Sequence, residues 1–129
     1  MENSILLSTK KILGIAPDYN VFDLDVITHI NAALSIVSQL GVGPMGSHAI
    51  DDASDEWDDL GLPQNQLSVV RTYVFLRVRM LFDPPQTSFH IEAVTRQLQE
   101  LEYRLSYFRE ATVPMREVRS DYDNIDPIY

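Results

Sequence analysis

An all-α fold, a small helical bundle of about four helices, is what this sequence of 129 residues predicts, and three observations lead there. Apolar residues recur at steps of three and four along three separate stretches, and as pairs seven residues apart along a fourth, spacings that gather them on one face of a helix. Glycine or proline stands at the end of each stretch, where a helix must stop. The composition, 45 % apolar and 22 % charged, is that of an ordinary soluble domain, and the length suits one such domain and not two.

The first helix is expected over residues 4–13, with Asn3 or Ser4 as N-cap and Ile5, Leu6, Ile12 and Leu13 facing the core. Gly14 suits the left-handed position after the last turn, and Pro17 blocks continuation. The second helix runs from Asp23 to Leu40. Its stripe is Val26, Ile30, Ala33, Val37 and Leu40, widened by Ile27 and Leu34, and Gly41 ends it.

The third helix, 65–82, carries two apolar stripes. One is Leu67, Val70, Val74, Val78 and Leu81. The other is Val69, Tyr73, Leu76 and Met80, roughly 150° away on the wheel. Such a helix must be covered from two sides, by two helices of its own chain or by one helix and a neighbouring copy. Arg71, Arg77 and Arg79 occupy the margins, and Asp83-Pro84-Pro85 closes the element.

The fourth helix starts at Thr87 or Ser88 and reaches about Ala111. Ile91, Val94, Leu98, Leu101, Leu105 and Phe108 alternate steps of three and four as in a coiled-coil seam. Glu92, Arg96, Glu100 and Arg104 form an i, i+4 ladder on the outer face. Residues 112–129 lack any period. The chain therefore divides into a bundle domain, 1–111, and an extended C-terminal arm, 112–129, whose apolar residues are Tyr122, Ile125, Ile128 and Tyr129.

The net charge of −9 is local: residues 41–63 alone carry −6, from Asp51, Asp52, Asp55, Glu56, Asp58 and Asp59. Glycines and prolines flank that stretch, which reads as a long acidic loop with one short helical turn near 54–60. A surface this acidic repels phosphates and excludes a nucleic-acid-binding domain. Trp57, the only tryptophan, either pins the loop to the bundle or faces a partner.

His29, His48 and His90 lack metal-ligand spacing, and there is no HExxH, phosphate cradle or GxSxG elbow. As a calcium loop the acidic stretch fails, since counting from Asp51 puts Glu56 where glycine belongs and Leu62 at the twelfth position. No catalytic residue, cofactor or metal is expected. No apolar run approaches the roughly 20 residues of a membrane span. The opening Met-Glu-Asn-Ser lacks a secretory signal and cysteine is absent, which fits synthesis in a reducing cytoplasm.

The stretch Leu67-Ser-Val-Val-Arg-Thr-Tyr-Val-Phe-Leu-Arg-Val-Arg-Met-Leu-Phe-Asp-Pro-Pro85 resembles the head–tail connector (adaptor) proteins of long-tailed bacteriophages. So do Gln97-Leu-Gln-Glu-Leu-Glu-Tyr-Arg-Leu105, the opening Leu7-Ser-Thr-Lys-Lys-Ile-Leu-Gly-Ile15 and Leu40-Gly-Val-Gly-Pro44, in the family's order over residues 4–111. The resemblance implies a virion structural protein at the head–tail interface, assembled as a ring, expected to be dodecameric, on the portal protein. It would extend the DNA channel, letting DNA pass without specific binding, and offer a platform to the next connector, stopper or tail protein.

On that reading Val69, Tyr73, Leu76, Met80, Arg71, Arg77 and Arg79 are the expected subunit interface, and Tyr122, Ile125, Ile128 and Tyr129 the expected portal contact. A second reading, from charge alone, is a small acidic DNA mimic that inhibits a nucleic-acid-binding protein. Against it, six acids crowd one loop rather than following a phosphate-like spacing.

Overall fold

The computed structural model describes residues 3–42 and 49–112, with side chains as far as Phe108. Among the described residues four helices follow in order: α1 (Ile5–Leu13), α2 (Asp23–Gln39), α3 (Gln64–Phe82) and α4 (Ser88–Thr112), with one 3₁₀ turn at Trp57–Leu60 before α3. The expected boundaries are met within a residue or two.

The ends of α1 show why the chain turns where it does. The Ser4 hydroxyl accepts the Leu7 N–H at 3.2 Å, satisfying one of the free donors of the first turn. At the other end Gly14 adopts φ 78°, and Ile15 donates back to the Lys10 carbonyl at 2.8 Å. A Cβ on Gly14 would meet nothing within 4 Å, so the left-handed backbone, not crowding, calls for glycine there. Lys10 then fastens the link to α2. Its buried ammonium donates to the Pro17 carbonyl at 3.0 Å and pairs with Asp23 at 2.8 Å.

α3 is the central element. One face packs on α2 and, less extensively, on α1, and its opposite face packs on α4. Val70, Val74 and Val78 of the first stripe are buried, and so is Tyr73 of the second. The two-sided pattern is therefore satisfied within one chain. Val26, Ile30, Ala33, Leu34 and Val37 of α2 meet the first face, and Leu98 and Leu105 of α4 bury themselves on the second. Three expected core positions lie further out: Ile12 and Leu81 are exposed because they fall at the last turns of their helices, and Ile91 sits at the exposed start of α4.

The acidic stretch differs from a solvated loop. Its backbone lies along the start of α1, with Ile5 donating to the Asp55 carbonyl at 3.0 Å and Trp57 donating to the Asn3 carbonyl at 2.9 Å. This is an isolated antiparallel bridge, Ser4 to Glu56. Asn31 of α2 holds the loop further back, its side chain donating to the Ile50 carbonyl at 3.1 Å and accepting the Ile50 N–H at 2.8 Å. Ile50, Trp57 and Leu60 fill the core beneath.

Candidate interaction surface

The residues expected at a subunit contact are distributed by the fold into three environments. Tyr73 is 0 % exposed, covered by α4, and its hydroxyl donates to Glu102 at 2.7 Å. Burial, and then the adjacent carboxylate, push the Tyr73 hydroxyl well above its ordinary pKa. The folded subunit thus does not offer Tyr73 to a partner, and a charged substitution there would test the bundle before it tested any contact between copies. Val69, Leu76 and Met80 are half-buried against the same core.

The arginines also separate. Arg71 holds its guanidinium 5.5 Å from the centre of the Trp57 ring, within cation–π range. Arg77 approaches Glu102 at 3.7 Å, so Tyr73, Glu102 and Arg77 form one polar cluster across the α3–α4 seam. Arg79 is exposed. Tyr122, Ile125, Ile128 and Tyr129 lie outside the described residues.

Trp57 resolves toward the bundle. It is fully buried, its indole N–H donates to the Ser8 hydroxyl at 2.9 Å, and Phe75 of α3 meets it edge-on at 5.8 Å. The acids around it are partly occupied by their own loop. Asp55 accepts the N–H groups of Asp51 and Asp52 at 2.7 and 3.2 Å, and Asp59 accepts the Glu56 N–H at 2.9 Å. Asp52 accepts from both the hydroxyl and the N–H of Ser54, which holds its carboxyl below the usual carboxylate range. The Asp52–Ser54 pair is an Asx turn, and the Asp59 bond is part of a capping box at the start of the 3₁₀ turn.

Among the described residues no group of three histidine or acidic side chains is placed to hold a metal ion. His90 is part of a helix start: Thr87 accepts its N–H at 3.2 Å, and its Nδ1 lies 2.7 Å from the same hydroxyl. His29 is half-buried on α2, and His48 lies outside the described residues. Likewise among the described residues, no helix is long and apolar enough to cross a membrane.

What remains for a partner is the apolar surface the core does not use. Tyr19, Val21, Phe22 and Leu24 are exposed at the α1–α2 link, with Phe22 meeting Phe82 edge-on at 5.4 Å. On α4, Phe89, Tyr103 and Tyr107 project outward. A family model described as phage connector protein matches residues 5–112, most of the chain. The chain belongs to the phage connector protein family. No curated protein and no solved structure matches it.

The family match begins at the first residue of α1 and ends at the last residue of α4, so it takes in all four helices. The connector is accordingly a component of a phage particle, and its role is structural. Several residues that fix its shape were not singled out from the sequence. Asn31, Ser8 and Lys10 make specific polar contacts across a loop, and nothing in their spacing announces them.

Proposed function

We propose that this connector works by assembly: copies form a ring on the portal vertex, extend the DNA channel and present a platform for the next connector or tail protein. Membership of the phage connector family over residues 5–112 is the observation that carries this reading. Exposed aromatic and aliphatic residues at the α1–α2 link and along α4 support it, because a ring needs two different faces per subunit in a heterologous, closing contact. Val69, Leu76 and Met80, with Arg71, Arg77 and Arg79 at their margins, remain the proposed contact on α3. They act there as the half-buried shoulder beside α4 rather than as an open face. The arm, through Tyr122, Ile125, Ile128 and Tyr129, reaches the portal.

The charge distribution fits a conduit, since a net charge of −9 disfavours retention of a passing polyanion. A DNA-mimic inhibitor draws less support. Asp52, Asp55 and Asp59 spend acceptor capacity on their own backbone instead of displaying it outward. Mass measurement of the protein alone and mixed with portal protein tests the proposal. Complexes of fixed stoichiometry are expected, and a mixture that stays as separate components overturns the assignment.

A further inference from the structure

The outer side of α4 has a period of its own. Phe89, Ala93, Arg96, Glu100, Tyr103 and Tyr107 alternate steps of four and three, which places them on one stripe roughly opposite the core seam. All six are exposed, and the three rings lie 74 %, 71 % and 63 % open to solvent. A helix that shows two such seams has packed only one of them within its own chain.

We propose that this outer seam pairs with the same seam of a second copy, the two α4 helices running antiparallel about a two-fold axis at the level of Leu98. The pair belongs to the free connector and does not rest on the ring reading, because an isologous contact closes with two copies.

Three observations select this occupant. The first is a symmetry in the sequence. Phe89 stands nine residues before Leu98 and Tyr107 nine after it, Ala93 five before and Tyr103 five after, Arg96 two before and Glu100 two after. In an antiparallel seam, positions equally far from the axis share a layer. The layers then hold ring against ring, small against large, and cation against anion, and the two-fold axis produces each of them twice.

The second is charge. A parallel pair would set Arg96 against Arg96 and Glu100 against Glu100, whereas the antiparallel pair sets each against its opposite. Their present partners lie on their own helix, Glu92 at 4.0 Å from Arg96 and Arg104 at 3.3 Å from Glu100. Such exposed pairs are weak and leave both charges available. A single polar layer in an apolar seam fixes register and orientation more than affinity.

The third is shape and area. Val69, Tyr103, Arg104, Tyr107 and Phe108 line a recess of about 410 Å³, at the height where Phe89 of the second copy arrives. Six aromatic side chains of about 200 Å² each, roughly two-thirds exposed, bury about 800 Å² on pairing. The stems of Arg96 and Glu100 carry the contact toward the roughly 1,200 Å² at which specific interfaces begin. The dimer is therefore weak and forms with rising concentration.

Sedimentation equilibrium of the full chain, with no portal protein present, tests this separately from the ring. The mass is expected to climb from one chain to two and stop. Arg96→Glu or Glu100→Arg alone opposes like charges in both central layers and should weaken the dimer about tenfold or more. Mixing the two variants sets opposite charges in every central layer and should restore it. Both positions are exposed, so the helical circular dichroism of each variant should match the parent. The chain has no cysteine of its own, which lets a cross-link read the register. Under oxidation Ala93→Cys should couple to Tyr103→Cys in a mixture but not to itself, its two copies standing about 15 Å apart along the axis. A mass of one chain up to about 1 mM overturns the proposal, as does an assembly larger than two. Reversals that leave the dimer unchanged, a mixture that stays monomeric, or Ala93→Cys coupling to itself overturn it equally.

Discussion

Replacing Trp57 with alanine tests whether the acidic loop is part of the core or decoration upon it. The indole is fully buried, so truncation leaves a cavity, and large-to-small changes of this kind cost about 3–5 kcal/mol. The lost bond to Ser8 and the contacts with Phe75 and Arg71 are already inside that range, since such contributions are not additive. A domain of this size has roughly 5–15 kcal/mol in total, so the variant should lose about a fifth or more of its stability. Urea unfolding followed by far-ultraviolet circular dichroism is the assay, because the helical signal survives removal of the only tryptophan. A companion cycle with Ser8→Ala and Trp57→Phe should return a coupling of about 1 kcal/mol for the indole–hydroxyl bond. In the unmodified protein the emission should be blue-shifted and poorly quenched by acrylamide. A loss below about 1 kcal/mol for Trp57→Ala, typical of surface positions, would refute the pinned loop.

Two further outcomes follow from the polar contacts. Tyr73→Phe should cost about 1.5 kcal/mol at neutral pH, because Glu102 loses a donor at the α3–α4 seam. Folding raises the Tyr73 pKa, so its contribution is complete below the unfolded value near 10 and declines as pH rises beyond it. The Phe variant should therefore show a shallower alkaline loss in denaturation midpoints measured against pH. Lys10→Met keeps the buried apolar stem but strands the Pro17 carbonyl and Asp23, and should cost about 2–3 kcal/mol in chemical denaturation. A stability equal to the parent would show that the Lys10 lock contributes nothing.

The helices could be read closely because their signals are local: Ser4 caps α1, Gly14 takes a left-handed turn, and Asp83-Pro84-Pro85 stops α3. The double stripe on α3 was equally plain, but which molecule covers the second stripe depends on where α4 lies. That is a long-range question, and the burial of Tyr73 answers it in favour of the same chain. The loop was the least legible part. Six acids among glycines and prolines read as solvent-facing, and the counter-evidence was three apolar residues without periodicity, Ile50, Trp57 and Leu60. The backbone bridge to Asn3 and Ser4, which decides the loop's course, leaves no pattern in side-chain chemistry. A surface for partners is harder still, because exposed apolar residues are common on any protein.

α4 is the longest helix, 25 residues or about 37 Å, yet it is braced chiefly along one flank, by α3. Leu98, Leu105 and the Tyr73–Glu102 link are the rivets of that joint. Any load applied where the polypeptide leaves α4 enters the rest of the molecule in shear along this line, spread over several side chains at once. Mounted so, the rod can transmit strain from its tip while the three-helix base behind it stays shut.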